Sequence, residues 1–315
     1  MPERERRSMD RRGGQHRQLA RRALALRGAS RRRLDQPVVR PPLGFSMNQE
    51  TLTELSSQLP LGEIRYFDST GSTNDEALKW AQSGARDMSI IVADEQTMGR
   101  GRMDRPWFTP PGTALAFSLI LRPTLTEKPH LSRLVGLAAL SIVKPLQAFG
   151  LSPQIKWPND ILLDQRKVAG VLIELVWSGE DVVCVVIGVG INVSKRAVPG
   201  TDILRFPGTS LEDALGNIVE REKLLKDILS AFIALRPQLG SDGFMNQWGE
   251  VLAYRGRQVR VEMGGDQTVV GKLEGILSDG SLRIRDDNGK SVTVHFGDVR
   301  LRPFTDILKN KATHV

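Results

Sequence analysis

Continuous apolar runs and β-branched residues alternate along the chain with stretches of helical periodicity, from about residue 50 onward. Four such runs predict strands, over 88–96, 113–123, 167–177 and 181–194. The last two are joined by Ser178-Gly179-Glu180, whose composition is typical of a tight turn. They are therefore predicted to form a β-hairpin.

Three stretches predict helices, over 72–84, 131–150 and 221–239. In the first, Thr73 and Glu76 have the spacing of a capping box, and Gly84 can close the C-terminus. In the second, Pro145 is expected to kink or shorten the helix because it lacks a backbone N–H.

The pattern changes after about residue 253, where short alternating runs are separated by GGD, SDG and DNG turns. This texture predicts a small antiparallel barrel or sandwich. The preceding part mixes hairpins with helices, so the fold class is predicted as α+β rather than a doubly wound parallel sheet. The predicted organisation is a leader, a larger domain, a small β-domain and a tail, over 1–46, 50–250, 253–304 and 305–315.

The net charge of +8 belongs to the leader. Residues 1–46 hold 13 arginines, no lysine and four acidic residues, a net charge of +9, so the remainder carries −1. Few aromatics and many charges predict that this segment is disordered. It is interpreted as a nucleic-acid tail, as a transit peptide (against which its four acids argue) or as a mis-assigned extension before a true start at Met47.

Composition limits the compartment and the class of partner. The chain has a single cysteine, so no internal disulfide framework can form, which suits a reducing cytoplasm. No uninterrupted apolar run approaches the ~18 residues of a membrane span, so no membrane partner is expected.

The first chemically suggestive stretch is GRGRMDRPW, residues 99–107. Glycines let backbone N–H groups approach a ligand, and arginines offer fork-shaped donors to phosphate or carboxylate. Trp107 can stack on an aromatic ring such as adenine. The stretch matches neither a P-loop nor GxGxxG, and a solvated charged loop remains the alternative.

The second stretch is KWPNDILL, residues 156–163, followed by Lys167. Asn159 and Asp160 predict a turn between strands. Asp160 can anchor a metal or orient another group, and a purely structural turn is the alternative. Lys167 opens an otherwise apolar strand, either as an anion partner or as a snorkelling edge lysine.

Two further stretches complete the set. In IGVGIN (187–192), Gly188 and Gly190 are predicted to leave one strand face open to a flat ligand, and the amide of Asn192 can pair with an adenine edge. In DSTGSTN (68–74), a helix N-terminus offers donors to a polar ligand, with plain capping as the alternative.

These stretches, in this order, resemble the biotin protein ligases. The match lies in STN, EQxxGRGRxxRxW, KWPNDIxxxxxKVAGVLIE and IGVGINV, and spans about residues 65 to 195. Each piece is weak by itself, but four in the right order are highly specific. The resemblance implies a class II aminoacyl-tRNA synthetase-like mixed sheet with flanking helices, and a small SH3-like C-terminal β-barrel.

The resemblance also implies an activity. Such enzymes activate biotin with ATP and Mg²⁺ to biotinyl-5′-AMP, release pyrophosphate, and transfer biotin to one lysine of a biotin carboxyl carrier protein. Catalytic roles are implied for Lys167, Arg100, Arg102 and Asp160, with Asp160 either as a metal ligand or as a lysine-positioning group.

Two sets of binding residues follow from the same resemblance. The biotin set is Ser72, Thr73, Asn74, Gln96, Arg100, Gly101, Arg102, Lys167 and Gly170, with Gly170 leaving room for the valeryl chain. The ATP and adenylate set is Arg102, Arg105, Trp107, Asn159, Lys167, Gly188 and Asn192.

Some relatives in that family carry an N-terminal DNA-binding module. Residues 1–46 have no periodic apolar pattern, so a ligase without sequence-specific DNA binding is expected, as a monomer or weak homodimer. The alternatives are a lipoate–protein ligase, a regulator that binds biotinyl-AMP without transferring it, and a basic nucleic-acid binder. The polar pair Ser72 and Gln96 favours biotin, because it suits a ureido group.

Overall fold

The computed structural model describes residues 47–200, 206–263 and 267–295, and the backbone of 300–303. The predicted leader (1–46) and tail (305–315) lie outside the described residues. The question of a start at Met47 therefore stays a prediction.

A seven-stranded mixed sheet forms the centre of the larger part, with strand order β1-β2-β3-β7-β6-β5-β4. Only β1 and β2 pair in parallel, and the other neighbours pair antiparallel. The strands are β1 Ile64–Thr70, β2 Ser89–Gln96, β3 Ala114–Leu121, β4 Gln154–Lys156, β5 Asp160–Leu163, β6 Arg166–Ser178 and β7 Asp181–Asn192. The predicted α+β class and the β6–β7 hairpin are confirmed.

Six α-helices accompany the sheet in the described residues: α1 Gln49–Gln58, α2 Thr73–Gln82, α3 Leu134–Ala148, α4 Leu211–Leu215, α5 Arg221–Leu235 and α6 Asp242–Glu250. The three predicted helices correspond to α2, α3 and α5. Helix α3 continues through Pro145 to Ala148, so the expectation that Pro145 shortens it is wrong, while the alternative of a kink stays a prediction. Gly84 and Gly150 follow their helices with positive φ, as a helix C-terminus favours.

The two faces of the sheet bury different helices. Alternate residues of β3 and β7, such as Phe117 and Ile187, pack with α3 and α5 in the main core. The opposite face carries Ile120 and Val186, which pack with Trp80 of α2 in a smaller cluster. Helix α2 therefore covers one end of its face, and the rest of that face is available for a site.

One apolar stretch runs against the composition-based expectation about membranes. The stretch Lys128–Ala148, which includes α3, is long and apolar enough to cross a bilayer by length and composition. Within its most apolar 18-residue window, 67% is buried inside the protein, as expected for a core helix.

A separate five-stranded antiparallel sheet follows, with strand order β11-β10-β9-β8-β12. Its strands are β8 Gln258–Glu262, β9 Thr268–Ile276, β10 Leu282–Arg285, β11 Ser291–Val294 and β12 Arg300–Pro303. The β9–β10 turn docks onto the larger part: Trp157 Nε1 donates to Gly280 O at 2.9 Å, and Arg133 Nε donates to Ser278 O at 2.6 Å. These bonds join the C-terminal sheet to the turn that precedes Asp160, through Trp157, and to the N-terminus of α3, through Arg133.

Candidate functional site

The site lies on a floor of small residues at the centre of the α2 face. Ala116 of β3, Gly190 of β7 and Gly170 of β6 stand in register across three strands. Ser118 and Gly188 form the next row. Small side chains let other groups come close to the backbone here. The elements that do so are the N-terminus of α2 and the connection between β2 and β3.

Gln96, the last residue of β2, organises the N-terminus of α2. Its side-chain oxygen accepts from the backbone N–H of Thr73 at 2.8 Å and from the Thr73 hydroxyl at 3.0 Å. Its amide nitrogen donates to Thr109 Oγ1 at 3.3 Å. The predicted capping box is wrong: Ser72 is the N-cap without a side-chain capping bond, and the orphan donor of Thr73 is satisfied by Gln96 instead.

A second set of polar bonds continues inward from Thr73. Ser118 Oγ lies 2.8 Å from Thr73 Oγ1 and 2.6 Å from Asn74 Oδ1. Asn74 Nδ2 donates to Glu174 Oε2 at 2.5 Å. Thr73, Asn74 and Ser118 are all buried, so these bonds fix each group in one orientation. The result is a cluster of donors and acceptors beside the small-residue floor.

The connection from Gln96 to Thr109, here called the 96–109 hairpin, closes on itself. Trp107 N donates to Gly99 O at 2.8 Å, and Gly101 N donates to Arg105 O at 2.7 Å. A Cβ at Gly99 would stand 2.6 Å from Trp107 O, so the close approach of the two arms requires glycine there. The loop is therefore a hydrogen-bonded hairpin that presents Trp107 to the sheet.

Trp107 fills the space above the floor. A Cβ at Gly190 would lie 2.3 Å from Trp107 Nε1, and Lys167 Nζ stands 5.2 Å from the centre of the indole ring. Among the described residues, buried Trp107 Nε1 has no hydrogen-bond partner. An unpaired buried donor costs about 1–3 kcal/mol, and such groups often mark ligand sites.

Two lysines converge on one carboxylate at the edge of the floor. Asp160 Oδ1 lies 2.5 Å from Lys167 Nζ, and Asp160 Oδ2 lies 3.3 Å from Lys156 Nζ. Burial works against ionisation of Asp160, but the two ammonium groups outweigh it and hold its pKa at about 2. Asp160 is therefore ionised at neutral pH and forms ion pairs with both lysines.

The three arginines of the hairpin have different surroundings. Arg100 pairs with Asp75 through Nη1 and with Glu174 through Nη2, at 2.8 Å and 3.1 Å to the two Glu174 oxygens. Burial disfavours the charged guanidinium, but the bonds to these carboxylates raise the Arg100 pKa above its ordinary value. Arg102 Nη1 lies 3.5 Å from Asn159 Oδ1, and Arg105 Nη2 lies 3.3 Å from Met103 Sδ.

Asn192 closes the site at the end of β7. Its Nδ2 donates to Thr209 O at 3.0 Å, and Thr209 N in turn donates to Lys167 O at 2.9 Å. Thr209 Oγ1 and Ser194 Oγ are buried without hydrogen-bond partners among the described residues. Asn192 is thus oriented by the backbone of Thr209, whose own hydroxyl is one of these unpaired atoms.

Comparison with known proteins identifies the family. The model of the Biotin/lipoate A/B protein ligase family matches residues 66–192, and the Biotin protein ligase C terminal domain model matches residues 255–302. A biotin–[acetyl-CoA-carboxylase] ligase of Paracoccus denitrificans is 35% identical over 236 residues, covering 71% of this chain and 94% of the relative. This chain belongs to the biotin protein ligase family.

Other members of the family are similar over much of their length. The biotin–[acetyl-CoA-carboxylase] ligase of Mycobacterium tuberculosis is 33% identical over 284 residues, covering 84% of this chain and 98% of the relative. The bifunctional ligase/repressor BirA of Bacillus subtilis is 34% identical over 230 residues, covering 71% of this chain and 70% of the relative. The structure of the Aquifex aeolicus biotin protein ligase with biotin and ATP superposes with a TM-score of 0.66 at 27% identity, covering 76% of this chain and 99% of that one.

Most of the predicted site residues of this ligase-family chain gather on one face of the sheet. The structure brings together Ser72, Thr73, Asn74, Gln96, Arg100, Trp107, Asn159, Asp160, Lys167, Gly170, Gly188, Gly190 and Asn192. Arg102 reaches the group through Asn159, whereas Arg105 contacts Met103 within the hairpin. Gly101 contributes its backbone N–H to the hairpin itself.

The prediction of an open glycine face on β7 is wrong for this structure. A Cβ at Gly188 would lie 2.1 Å from Asn74 Oδ1, and one at Gly190 would meet Trp107. A Cβ at Gly170 would lie 3.1 Å from Lys167 Nζ. The glycines make room for the protein's own functional side chains, so any ligand would contact those side chains rather than bare backbone.

Sequence reasoning missed Ser118, Glu174, Asp75 and Lys156. Ser118 and Glu174 are single polar residues within the apolar strands ALAFSLIL and VLIELVW. Both lie on the same face of the sheet as Gly188. Ser118 pairs with Gly188, and Glu174 lies two residues along β6 from Leu172, which also pairs with Gly188. A lone polar residue within an apolar strand was therefore the available signal, and for Ser118 its register with Gly188 strengthens it.

Proposed function

We propose that this chain is an ATP-dependent ligase that activates biotin to biotinyl-5′-AMP and transfers biotin to a lysine of a biotin carboxyl carrier protein. The observation that carries the proposal is the Lys167–Asp160 pair, which stands beside Trp107 at one end of the floor while the Gln96, Thr73 and Asn74 cluster stands at the other. This arrangement provides a cationic end for phosphate and a neutral polar end for a ureido ring.

The polar cluster supports biotin as the substrate. Gln96, Thr73, Asn74 and Ser118 offer fixed amide and hydroxyl groups, which match the donors and the acceptor of a ureido ring. A site of this kind rejects an analogue that lacks the matching groups, because its buried polar atoms are left unpaired. Lipoate, whose ring has no such groups, is the second candidate and is less well matched.

The cationic end supports activation by ATP. The biotin carboxylate oxygen attacks the α-phosphorus, a new P–O bond forms, and the bond to the leaving pyrophosphate breaks. Two unit charges 4 Å apart repel by ~4 kcal/mol at an effective dielectric constant near 20. We propose that Lys167 offsets this repulsion between the carboxylate and the α-phosphate, and that Arg102 does so for the other phosphates.

The adenylate is proposed to lie beside Trp107 and Asn192. Three buried polar atoms have no hydrogen-bond partner among the described residues: Trp107 Nε1, Thr209 Oγ1 and Ser194 Oγ. Such unpaired atoms are expected where a polar ligand binds. In the second step, the carrier lysine attacks the acyl carbon of the anhydride, an amide bond forms, and AMP leaves. No nucleophilic side chain of the chain is needed, since positioning and electrostatics suffice.

The residues present do not fit a protein-held metal at Asp160. Its two oxygens face two ammonium groups, and no cluster of three metal-ligating side chains occurs among the residues that the structure describes. Of the two roles expected for Asp160, we therefore propose lysine positioning. Mg²⁺ is proposed to arrive with the phosphates of ATP, as is usual for this ion.

Finer features of the family remain part of the proposal. We infer that the seven-stranded sheet is class II aminoacyl-tRNA synthetase-like and that the C-terminal sheet is an SH3-like barrel. We also propose a cytoplasmic ligase without sequence-specific DNA binding, as a monomer or weak homodimer, on the sequence grounds given above.

The test is direct. Purified full-length protein is incubated with ATP, Mg²⁺ and either biotin or lipoate, pyrophosphate release is followed, and an acceptor domain is weighed by mass spectrometry. Biotin-dependent pyrophosphate release and a biotin-sized gain in mass are expected. Activity with lipoate alone would refute the substrate assignment, and adenylation without transfer would favour a regulator.

A further inference from the structure

Arg100 joins the 96–109 hairpin to two separate elements of the larger part. One arm of its guanidinium meets Asp75 in the first turn of α2, and the other meets Glu174 near the middle of β6. Arg100 and Glu174 are each about three-quarters buried, at 25% and 27% side-chain exposure. A planar fork bound to two carboxylates has a fixed direction.

Glu174 is itself fixed from the interior of the protein. Besides Arg100, it accepts from Asn74 Nδ2 at 2.5 Å, and Asn74 sits directly over Gly188 of β7. The oxygen of the same amide group, Asn74 Oδ1, accepts from the Ser118 hydroxyl at 2.6 Å. The carboxylate that receives Arg100 is therefore anchored to the same polar cluster that is proposed to bind the ureido ring.

The hairpin transmits this anchoring to the rest of the site. Arg100 forms an antiparallel bridge with Pro106, the residue before Trp107. The backbone N–H of Trp107 donates to Gly99 O. Holding Arg100 therefore holds Trp107 over Gly190. It also holds Arg102, which lies two residues further along the same arm.

The charge of the group argues against a direct role of Arg100 in binding phosphate. Arg100 contributes one positive charge, and Asp75 and Glu174 contribute two negative charges, so the three side chains together carry a net charge of −1. A phosphate near Arg100 would face both carboxylates and would displace at least one of its hydrogen bonds. Lys167 and Arg102 are better placed for anions.

We propose that Asp75 and Glu174 are positioning residues that hold the 96–109 hairpin closed over the adenylate by binding Arg100, and that Arg100 serves as their latch rather than as a phosphate ligand. This inference rests on the proposed function. It assigns to Arg100 a role different from the catalytic one that the family resemblance implies, and it gives roles to two carboxylates that the resemblance does not include.

The test compares adenylate release with adenylate formation. Glu174→Gln and Asp75→Asn are isosteric and remove one charge each. Each is expected to raise the rate at which labelled biotinyl-AMP escapes from the full-length enzyme by about tenfold, the effect of one lost charge-assisted hydrogen bond. Their single-turnover rates of adenylation are expected to fall by a much smaller factor than that of Lys167→Ala.

Arg100→Ala decides between a latch and a phosphate ligand. As a latch, it raises release at least as much as either carboxylate variant, since it breaks both pairs, and adding Glu174→Gln to it has little further effect. A phosphate ligand would instead give a large loss of adenylation rate in Arg100→Ala that neither carboxylate variant shares. That result, or unchanged release in the carboxylate variants, would overturn the proposal.

Matched controls and a ligand-free readout separate this inference from the proposed function. Glu76→Gln alters the next residue of α2, and Glu180→Gln alters the exposed β6–β7 turn; both should release adenylate at the wild-type rate. Hydrogen exchange of the 96–109 amides in ligand-free protein should be faster in Glu174→Gln and Asp75→Asn than in either control. If wild-type protein makes no biotinyl-AMP, the proposed function fails, whereas unchanged exchange in the carboxylate variants refutes the latch on its own.

Discussion

Trp107 lies so close to Gly190 that a single methyl group cannot fit between them: a Cβ on Gly190 would stand 2.3 Å from Trp107 Nε1. The indole is therefore placed by the absence of a side chain on β7, and by the 96–109 hairpin that carries it. Because Lys167 stands 5.2 Å from the same ring, the position of Trp107 also bears on the proposed catalytic lysine.

The first prediction follows from this contact. Gly190→Ala should displace Trp107 and weaken ATP binding, raising the KM for ATP by at least about tenfold, because the ring must move to relieve the overlap. Steady-state kinetics would measure the KM for ATP, and tryptophan fluorescence would report the displacement of the ring. The control is Gly249→Ala in α6, where a Cβ meets nothing within 4 Å. Equal kinetics of both variants would refute the assignment of Trp107 to the adenylate.

A second prediction concerns the proposed catalytic lysine. Lys167→Ala should slow single-turnover adenylation by about 100-fold or more, the usual effect of removing one preorganised donor from a developing charge. Lys144→Ala, an exposed lysine on α3, provides the control. A near-wild-type rate in Lys167→Ala would rule out its contact with the reacting groups.

A third prediction concerns acid stability. The pKa of Asp160 is lowered to about 2, against an ordinary value of 3.8, so its pairing stabilises the folded state above the ordinary pKa. This contribution, of about 2 kcal/mol, is lost as the pH falls from about 5 toward 2.

Denaturant unfolding of wild type and Asp160→Asn at several pH values would measure that contribution. The difference in unfolding free energy between the two proteins should narrow as the pH falls through this window. A difference that stays constant from pH 5 to pH 2 would show that Asp160 is not held ionised by Lys167 and Lys156.

The outcome of sequence reasoning differed between local and long-range features. The β6–β7 hairpin was predictable because Ser178-Gly179-Glu180 lies between two β-rich runs, and Gly179 indeed adopts a positive φ. The capping of α2 was not predictable, because the acceptor for the backbone N–H of Thr73 is the side chain of Gln96, 23 residues away at the end of β2. Local propensity contains no information about such a partner.

The same distinction applies to the glycines of IGVGIN. Their importance for the site was predicted, but what occupies the space above them was not. Gly188 receives Asn74, which is more than 100 residues earlier in the chain. The packing of α2 on β3 and β7 brings Asn74 and Gly188 together.

A fourth prediction tests the polar cluster. Ser118→Ala removes the hydroxyl that bonds Asn74 Oδ1 and leaves that buried acceptor unpaired, which should weaken biotin binding by about tenfold. Isothermal titration calorimetry would measure the affinity of each protein for biotin. Ser141→Ala, in which a buried helical serine loses only a local bond to Ala138 O, is the matched control. Identical affinities would place the ureido ring elsewhere.

The bond between Trp157 and Gly280 also limits how the chain can be shortened. Trp157 is fully buried and immediately precedes the turn that carries Asp160, and its indole N–H is satisfied by the β9–β10 turn. A protein cut after residue 253 would lose the acceptor of Trp157 Nε1 and the acceptor of Arg133 Nε, and would expose apolar surface beside this turn. The C-terminal sheet thus supports the turn that carries the proposed site residue Asp160, so we expect that a minimal biotin-labelling tool derived from this chain has to keep this sheet.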